Sequence, residues 1–335
     1  MRVVMAPGSF PPHLTAPEAA RELTAGWLSV RPRDVVVPRP LPDGGEGTPA
    51  AVAAAAPDAR VRRVPGCTGP DHRTAVGAYL AFPDGTVLIE LGRLGAAAGQ
   101  LHGAALTATS RGAGELLAHA LDHGARRLML APGERAALDG GAGLLSALGM
   151  RLLDTAGCVL PDGGGALARV ARIDRSRLLP PPDGGVVVLL DTDRPLLGPA
   201  GAAAFDAPRQ GGGPAEAADL DRGLARLAAL LGGDAERPGA GAAGGAAHAL
   251  ASAWGAVSVR AARGLCELLG LGKELAAADL VLTGSGQEDP EAGYGPLTAE
   301  VARLAVTAGT AVTALPGAAR QLRRIASGLA ARPLP

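Results

Sequence analysis

Six short apolar runs punctuate the chain: Val3–Met5, Val35–Val37, Val87–Leu91, Leu128–Ala131, Val186–Leu190 and Leu280–Leu282. Most are followed by a polar or glycine-rich turn and then by a segment with helical spacing. That alternation predicts βα units and a largely parallel sheet. The run Val35–Val37 is β-branched and continuous, as strands buried on both faces read. Apolar residues recur at helical spacing over 18–28 and 114–121, and Leu220, Leu224, Leu227 and Leu231 fall on one face of a helix over 220–231. Thr48 and Pro49 suit the N-cap and first position of a helix running to Ala56, and a further helix is predicted over Ala246–Trp254. Near the C-terminus Leu322, Ile325 and Leu329 line one side of a short helix. The stretch 66–90 reads differently, as short strands and turns around Pro70-Asp71 and Pro83-Asp84-Gly85.

A chain of 335 residues exceeds the usual size of one domain. The expected fold is α/β with two domains. A mainly parallel Rossmann/flavodoxin-like sheet domain is assigned to 1–65 and 255–335, and an inserted mixed α/β domain to 66–254. Equal numbers of basic and acidic residues, 32 each, with no basic stripe, argue against nucleic acid as a partner. Aromatic residues at 2 % leave few platforms for stacking bases. No apolar run reaches the length of a membrane span, and the chain opens directly into a strand-like run without a signal peptide. Cys67, Cys158 and Cys266 are scattered and form no C-x-x-C pair, which suits a reducing cytoplasm. Asparagine is absent and lysine occurs once, at Lys273, so arginine fills nearly every cationic position.

Candidate chemistry centres on Asp43-Gly44-Gly45-Glu46-Gly47-Thr48, which sets two carboxylates three residues apart in a glycine loop between a strand and a helix. Ligands of open α/β sheets sit outside the carboxyl ends of strands, where such loops converge. There the two acids can hold a metal or bind substrate hydroxyls. Asp191 closes the run Val186–Leu190 and reads as a general base or metal ligand facing a crevice, or else as a turn acid. The glycine-rich stretch 238–245 precedes a helix, where bare amides suit a phosphate; a close-packed turn is the competing reading. Thr283-Gly284-Ser285-Gly286 starts like a dinucleotide fingerprint, but Asp289 stands where the third glycine belongs. His119 and His123 have a zinc-compatible spacing without an H-E-x-x-H, so a solvated helix face accounts for them. Neither a G-x-S-x-G elbow nor a P-loop occurs.

Taken in order, these blocks resemble the bacterial glycerate kinase family, the type with two α/β domains that is unrelated to P-loop kinases. The blocks are Ala6–Phe10, Asp43–Thr48, Thr68-Gly69-Pro70, Thr109–Leu116, Asp139–Gly143, Gly163–Leu167, Asp191 with Pro195-Leu196, 238–245 and Thr283-Gly284. The resemblance implies ATP-dependent phosphorylation of D-glycerate to a phosphoglycerate, with Mg2+, in the cleft between the domains. By motif it implies catalytic roles for Asp191 and Asp43, with Asp43 also the metal ligand. It implies substrate binding by Glu46, Arg111 and Ser9, and cofactor binding by Gly239, Gly241, Gly244, Gly284, Gly286 and Asp289.

The chain departs from the family pattern in several loops. The family start A-P-D-S-[FY]-K has Gly8 for the acid and Pro11 for the lysine. The family G-G-S-A-T-N-D loop appears as Gly133–Asp139, carrying Glu134 and Arg135. An anion about 4 Å from a phosphate costs on the order of 4 kcal/mol at an effective dielectric near 20, unless a cation such as Arg135 offsets it. The family T-G-E-G-[RK]-x-D is Thr283–Asp289, and the lysine of its following G-K is Pro296. Two readings follow. The chain is a kinase of glycerate or a related small hydroxy acid, or it is a catalytically impaired paralogue that binds such an acid or acts as a regulatory protein.

Overall fold

The computed structural model describes residues 1–11, 14–45, 47–92, 103–133, 136–286, 295–315 and 321–332. In chain order the first elements are β1 (Arg2–Pro7), α1 (Ala16–Leu28), β2 (Val35–Pro38), α2 (Thr48–Ala55), β3 (Arg60–Thr68), β4 (Thr74–Ala81) and β5 (Thr86–Glu90). Next come α3 (Arg111–Asp122), β6 (Arg127–Ala131), α4 (Ala142–Ala147), β7 (Arg151–Leu153), β8 (Arg172–Asp174), β9 (Val186–Leu190), α5 (Ala202–Arg209) and α6 (Pro214–Leu231). The last are α7 (Ala246–Trp254), β10 (Val257–Arg260), α8 (Ala261–Leu268), α9 (Leu271–Ala276), β11 (Leu280–Gly284), α10 (Pro296–Ala308), β12 (Ala311–Ala314) and α11 (Leu322–Ala330). All six apolar runs are strands. Residues fall into two compact units, one of Met1–Asp43, Ala50–Pro57 and Ala261–Pro335, the other of Gly44–Pro49 and Asp58–Arg260.

The first unit is built on a parallel sheet of order β12-β11-β1-β2. Alternation along the strands splits the core into two layers. Val3, Met5, Leu280 and Leu282 pack with Leu23 and Trp27 of α1 and with Leu322, Ala326 and Ala330 of α11. Val4, Ala6 and Val281 pack with Cys266, Leu271, Leu275, Val301 and Ala305 of α8, α9 and α10. α1 begins with a capping box, in which Thr15 N donates to Glu18 Oε2 at 2.9 Å and Glu18 N to Thr15 Oγ1 at 3.4 Å. At the α1–α11 crossing a Cβ on Gly26 would lie 2.1 Å from the Arg323 carbonyl oxygen, so only glycine permits that approach. This contact turns α11 so that Leu322, Ala326 and Ala330 are its buried residues, while Ile325 and Leu329 pack at the flank. Because β2 and β11 lie on opposite sides of β1, the strand order reverses between β1 and β11. Such a switch point opens a crevice at the carboxyl ends of the strands.

The second unit carries a six-stranded sheet of order β10-β9-β6-β5-β4-β3. β5, β6, β9 and β10 are parallel, and β4 runs antiparallel to both of its neighbours. The turn-rich stretch over 66–90 is the β3–β4–β5 meander. Leu220, Leu224, Leu227 and Leu231 are all buried on α6, as their spacing predicts, each contributing about 1.5–3 kcal/mol of burial. α3 and α4 cross where a Cβ on Gly114 would sit 2.2 Å from the Leu144 carbonyl oxygen. The parallel strands end at Glu90, Ala131, Leu190 and Arg260, the side of a sheet on which open α/β folds bind their ligands. Among the described residues no helix is long and apolar enough to cross a membrane.

Candidate active site

At the switch point of the first unit, Gly8 N donates to Gly284 O at 2.9 Å and Gly286 N to Ser9 O at 2.7 Å. Ser9, Gly284 and Gly286 are therefore brought together where β1 and β11 end. Both glycines are demanded by packing. A Cβ on Gly284 would lie 2.8 Å from Leu315 Cβ, and one on Gly286 would lie 2.9 Å from Phe10 Cα and Pro11 Cδ. Asp289 is outside the described residues.

The acidic loop straddles the division of the chain, with Asp43 in the first unit and Gly44–Pro49 in the second; Glu46 is outside the described residues. Gly44 and Gly47 have φ of +97° and +82°, a left-handed backbone that glycine adopts without strain. Thr48 is the first residue of α2 rather than its cap. Its hydroxyl donates to Gly45 O at 2.7 Å and so closes the glycine turn instead of accepting from the helix amides. Gly47 N donates to Glu90 Oε2 at 3.1 Å. Glu90 is buried at the end of β5, and Gly133, at φ +67°, leaves room for it: a Cβ there would meet Glu90 Cγ at 2.9 Å. Two glycine loops thus share one buried carboxylate. The sequence reading passed over Glu90, although an acid near the end of an apolar run is the same signal that singled out Asp191.

Asp191 leaves the end of β9 and is exposed. The segment after it is locked to the glycine-rich loop, since Gly241 N donates to Arg194 O at 3.0 Å. Gly239, at φ +82°, passes so close to β9 that a Cβ would lie 2.3 Å from Leu190 Cδ1, and one on Gly241 would lie 2.3 Å from the Pro195 carbonyl oxygen. Gly244, at φ +63°, approaches the Ala137 carbonyl oxygen to 2.0 Å by the same construction, while its own carbonyl accepts from Gly140 N at 3.0 Å. The structure therefore packs Gly239 and Gly241 against Leu190, Arg194 and Pro195, which flank Asp191 in the chain, and the glycines of this loop are close-packing residues. The helix that follows, α7, spans the predicted Ala246–Trp254.

Arg111 opens α3, and its guanidinium is held by Asp162: Nε donates to Oδ2 at 2.5 Å and Nη2 to Oδ1 at 2.9 Å. This fork raises the Arg111 pKa further and fixes the side chain's direction. Next to it Asp139 is fully buried and accepts from Ser110 N, Ser110 Oγ, Gly141 N and Gly143 N at 2.8, 2.9, 3.0 and 3.1 Å. Burial pushes the Asp139 carboxyl up while the four donors oppose that shift. Asp139 thereby pins the first turns of α3 and α4 to each other. Asp162 escaped the sequence reading because its block was taken from Gly163; an acid heading a glycine run was the available signal. The His119 and His123 rings stack at 3.9 Å, and Tyr79 Oη lies 3.2 Å from His119 Nδ1. Among the described residues no three histidines, cysteines or acids are grouped to hold a metal.

A sequence model of the glycerate kinase family matches residues 3–330, nearly the whole chain. The chain belongs to the glycerate kinase family. It is 34% identical over 317 residues to a glycerate 2-kinase of Escherichia coli, covering 91% of this chain and 82% of that protein. A glycerate kinase of Bacillus subtilis is 40% identical over 223 residues, a match that spans 63% of this chain and 56%, less than two thirds, of that protein. A solved structure from Salmonella typhimurium LT2, provisionally assigned as glycerate kinase 2, superposes with a TM-score of 0.85 at 32% identity, covering 99% of this chain and 97% of the other. That match bears out the two-domain α/β fold. The structure also accounts for two departures of this glycerate kinase relative. Leu297 Cδ2 stands 2.7 Å from where a Cβ on Gly8 would be, so the space of the family acid is filled. Pro296 is the first residue of α10, a position that suits proline's fixed φ and missing amide. Glu134, Arg135, Gln287 and Glu288 lie outside the described residues.

Proposed function

We propose that this chain transfers the terminal phosphoryl group of ATP to a hydroxyl of D-glycerate or a closely related small hydroxy acid. The observation that carries the reading is Asp191, exposed at the carboxyl end of a parallel strand in a segment tied to the glycine-rich loop through Arg194, in a chain of the glycerate kinase family. Asp191 acts as the general base that takes the hydroxyl proton, a contribution of about 100- to 10,000-fold for a well-placed base. Arg111 spends two of its N–H groups on Asp162 and offers the remainder of its fork to the substrate carboxylate. Ser9 and Glu46 complete the substrate contacts. Gly284, Gly286 and Asp289 serve the nucleotide, together with the segment that Gly239, Gly241 and Gly244 hold in place. Mg2+ keeps several waters and takes one or two carboxylates plus phosphates, a donor set that Asp43 and the nucleotide fit. When bound, the ion neutralises phosphate charge. Phosphoryl transfer otherwise rests on positioning and charge stabilisation.

The relatives' names support the kinase reading over that of a non-catalytic binding protein. Free cysteines at 67, 158 and 266 support a cytoplasmic setting. The test is phosphorus NMR of the purified chain incubated with D-glycerate and Mg-ATP. A new phosphomonoester resonance that requires both substrates is expected; ATP left unconsumed by folded protein would overturn the proposal.

A further inference from the structure

Phe205, on α5, is gripped by two cations. The Cζ atoms of Arg194 and Arg209 each lie 3.3 Å from its ring centroid. Two guanidinium planes cannot share one face of a ring at that height, so the ring is sandwiched between them. Arg194 stands three residues beyond Asp191, and its carbonyl is the acceptor that ties this segment to Gly241. Its side chain is only 17 % exposed, and Nη1 lies 3.9 Å from Asp206 Oδ2. Arg209 is exposed and donates from Nη1 to Phe205 O at 2.8 Å.

The Asp206 carboxylate is attracted to both guanidinium groups and offsets part of their repulsion, but one carboxylate does not neutralise two cations. Burial and the nearby Arg209 both press the Arg194 pKa down, with Asp206 and Asp191 acting the other way. A ring contact uses the face of a guanidinium, so the in-plane N–H donors that Asp206 and the Phe205 carbonyl do not engage remain for phosphate oxygens. We propose that Arg194 and Arg209, stacked on Phe205 beside Asp191, form a clamp for the phosphate chain of the nucleotide. This rests on the kinase reading above. Phe205 is a positioning residue that holds both forks.

Titration calorimetry of the full chain with ATP, and with adenosine as the phosphate-free comparator, tests the clamp in Arg194→Gln, Arg209→Gln, Phe205→Ala and Phe205→Tyr. Each arginine substitution is expected to weaken ATP by about tenfold or more, as loss of a charge-assisted bond does, while adenosine binding is unchanged. Phe205→Ala is expected to weaken ATP and raise its KM, leaving the KM for glycerate unchanged, and Phe205→Tyr to restore wild-type values. The clamp is overturned if wild type binds no ATP, if both arginine variants bind ATP within twofold of wild type, or if adenosine weakens in parallel. Because Arg209 is exposed, its variant folds regardless of what the more buried Arg194 contributes to stability. Wild type that binds ATP through these arginines but never phosphorylates glycerate would sink the kinase reading and leave the clamp standing.

Discussion

Removing the Asp139 carboxylate tests how the fold holds Arg111 in place. Asp139 is fully buried and accepts four hydrogen bonds, three at Oδ2 from Ser110 N, Ser110 Oγ and Gly143 N, and one at Oδ1 from Gly141 N. In Asp139→Ala the donors stay where the backbone puts them, and at least the two buried glycine amides lose their acceptor. Each costs about 1–3 kcal/mol unsatisfied. Relief from the desolvation of a buried charge offsets part of this, so the two stranded neutral amides leave a net cost of about 2–4 kcal/mol. That is a large share of a typical stability of roughly 5–15 kcal/mol. Asp139→Asn keeps an oxygen at the Oδ2 position and sets its NH2 against Gly141 N, so about 1–3 kcal/mol is expected. The assay is urea unfolding followed by Trp254 fluorescence in a Trp27→Phe background, since these are the chain's two tryptophans and Trp254 belongs to the same unit as Asp139. An Asp139→Ala midpoint equivalent to less than about 0.5 kcal/mol of loss, or an Asn variant as damaged as the Ala variant, would refute the reasoning.

Further outcomes follow from the same geometry. Glu90→Ala strands the Gly47 amide and is expected to lower kcat/KM for glycerate at least fivefold, while Glu90→Gln keeps an acceptor and most of the activity; equal losses would mean that the charge, not the hydrogen bond, matters. Gly244→Ala combines a left-handed φ with a Cβ 2.0 Å from a carbonyl oxygen and should cost about 3 kcal/mol or more, whereas Gly255→Ala, at φ +67° with nothing within 4 Å, should cost about 1 kcal/mol. Thermal melts of the pair check this, and equal shifts would contradict it. Cys67 and Cys266 are buried, and burial pushes the Cys266 thiol up to about 12, so native protein should yield one fast-reacting thiol, Cys158, and three after denaturation. More than one fast thiol in native protein would show that the core opens.

Much of the fold was legible because strands announce themselves as continuous apolar runs, and all six became strands; β2, however, is the edge strand of its sheet with Val35 exposed, not the buried strand its β-branched run predicts. β10 and β12 were passed over because four residues such as Val257–Arg260 and Ala311–Ala314 are too short and mixed to stand out; their neighbours in the sheet make them strands. The Thr48 cap failed for a local reason: Gly45 O lies within reach of the hydroxyl, and a turn carbonyl won over the helix amides. Pairings at long range were invisible. Nothing in the sequence ties Arg111 to Asp162, 51 residues away, or Gly47 to Glu90, 43 away. Over 238–245 the sequence left a phosphate cradle and a tight turn open, and the close approaches to Leu190, Pro195 and Ala137 account for the glycines.

The central claim is that the acid at the end of β9 serves phosphoryl transfer to a hydroxy acid. A coupled ADP-release assay with D-glycerate and Mg-ATP, run on wild type and on Asp191→Asn, tests it most directly. The account predicts turnover that depends on both substrates and falls about 100-fold or more in the variant at an unchanged melting temperature. No ADP release above background from folded wild type at high concentration, or an Asp191→Asn variant as fast as wild type, would contradict it.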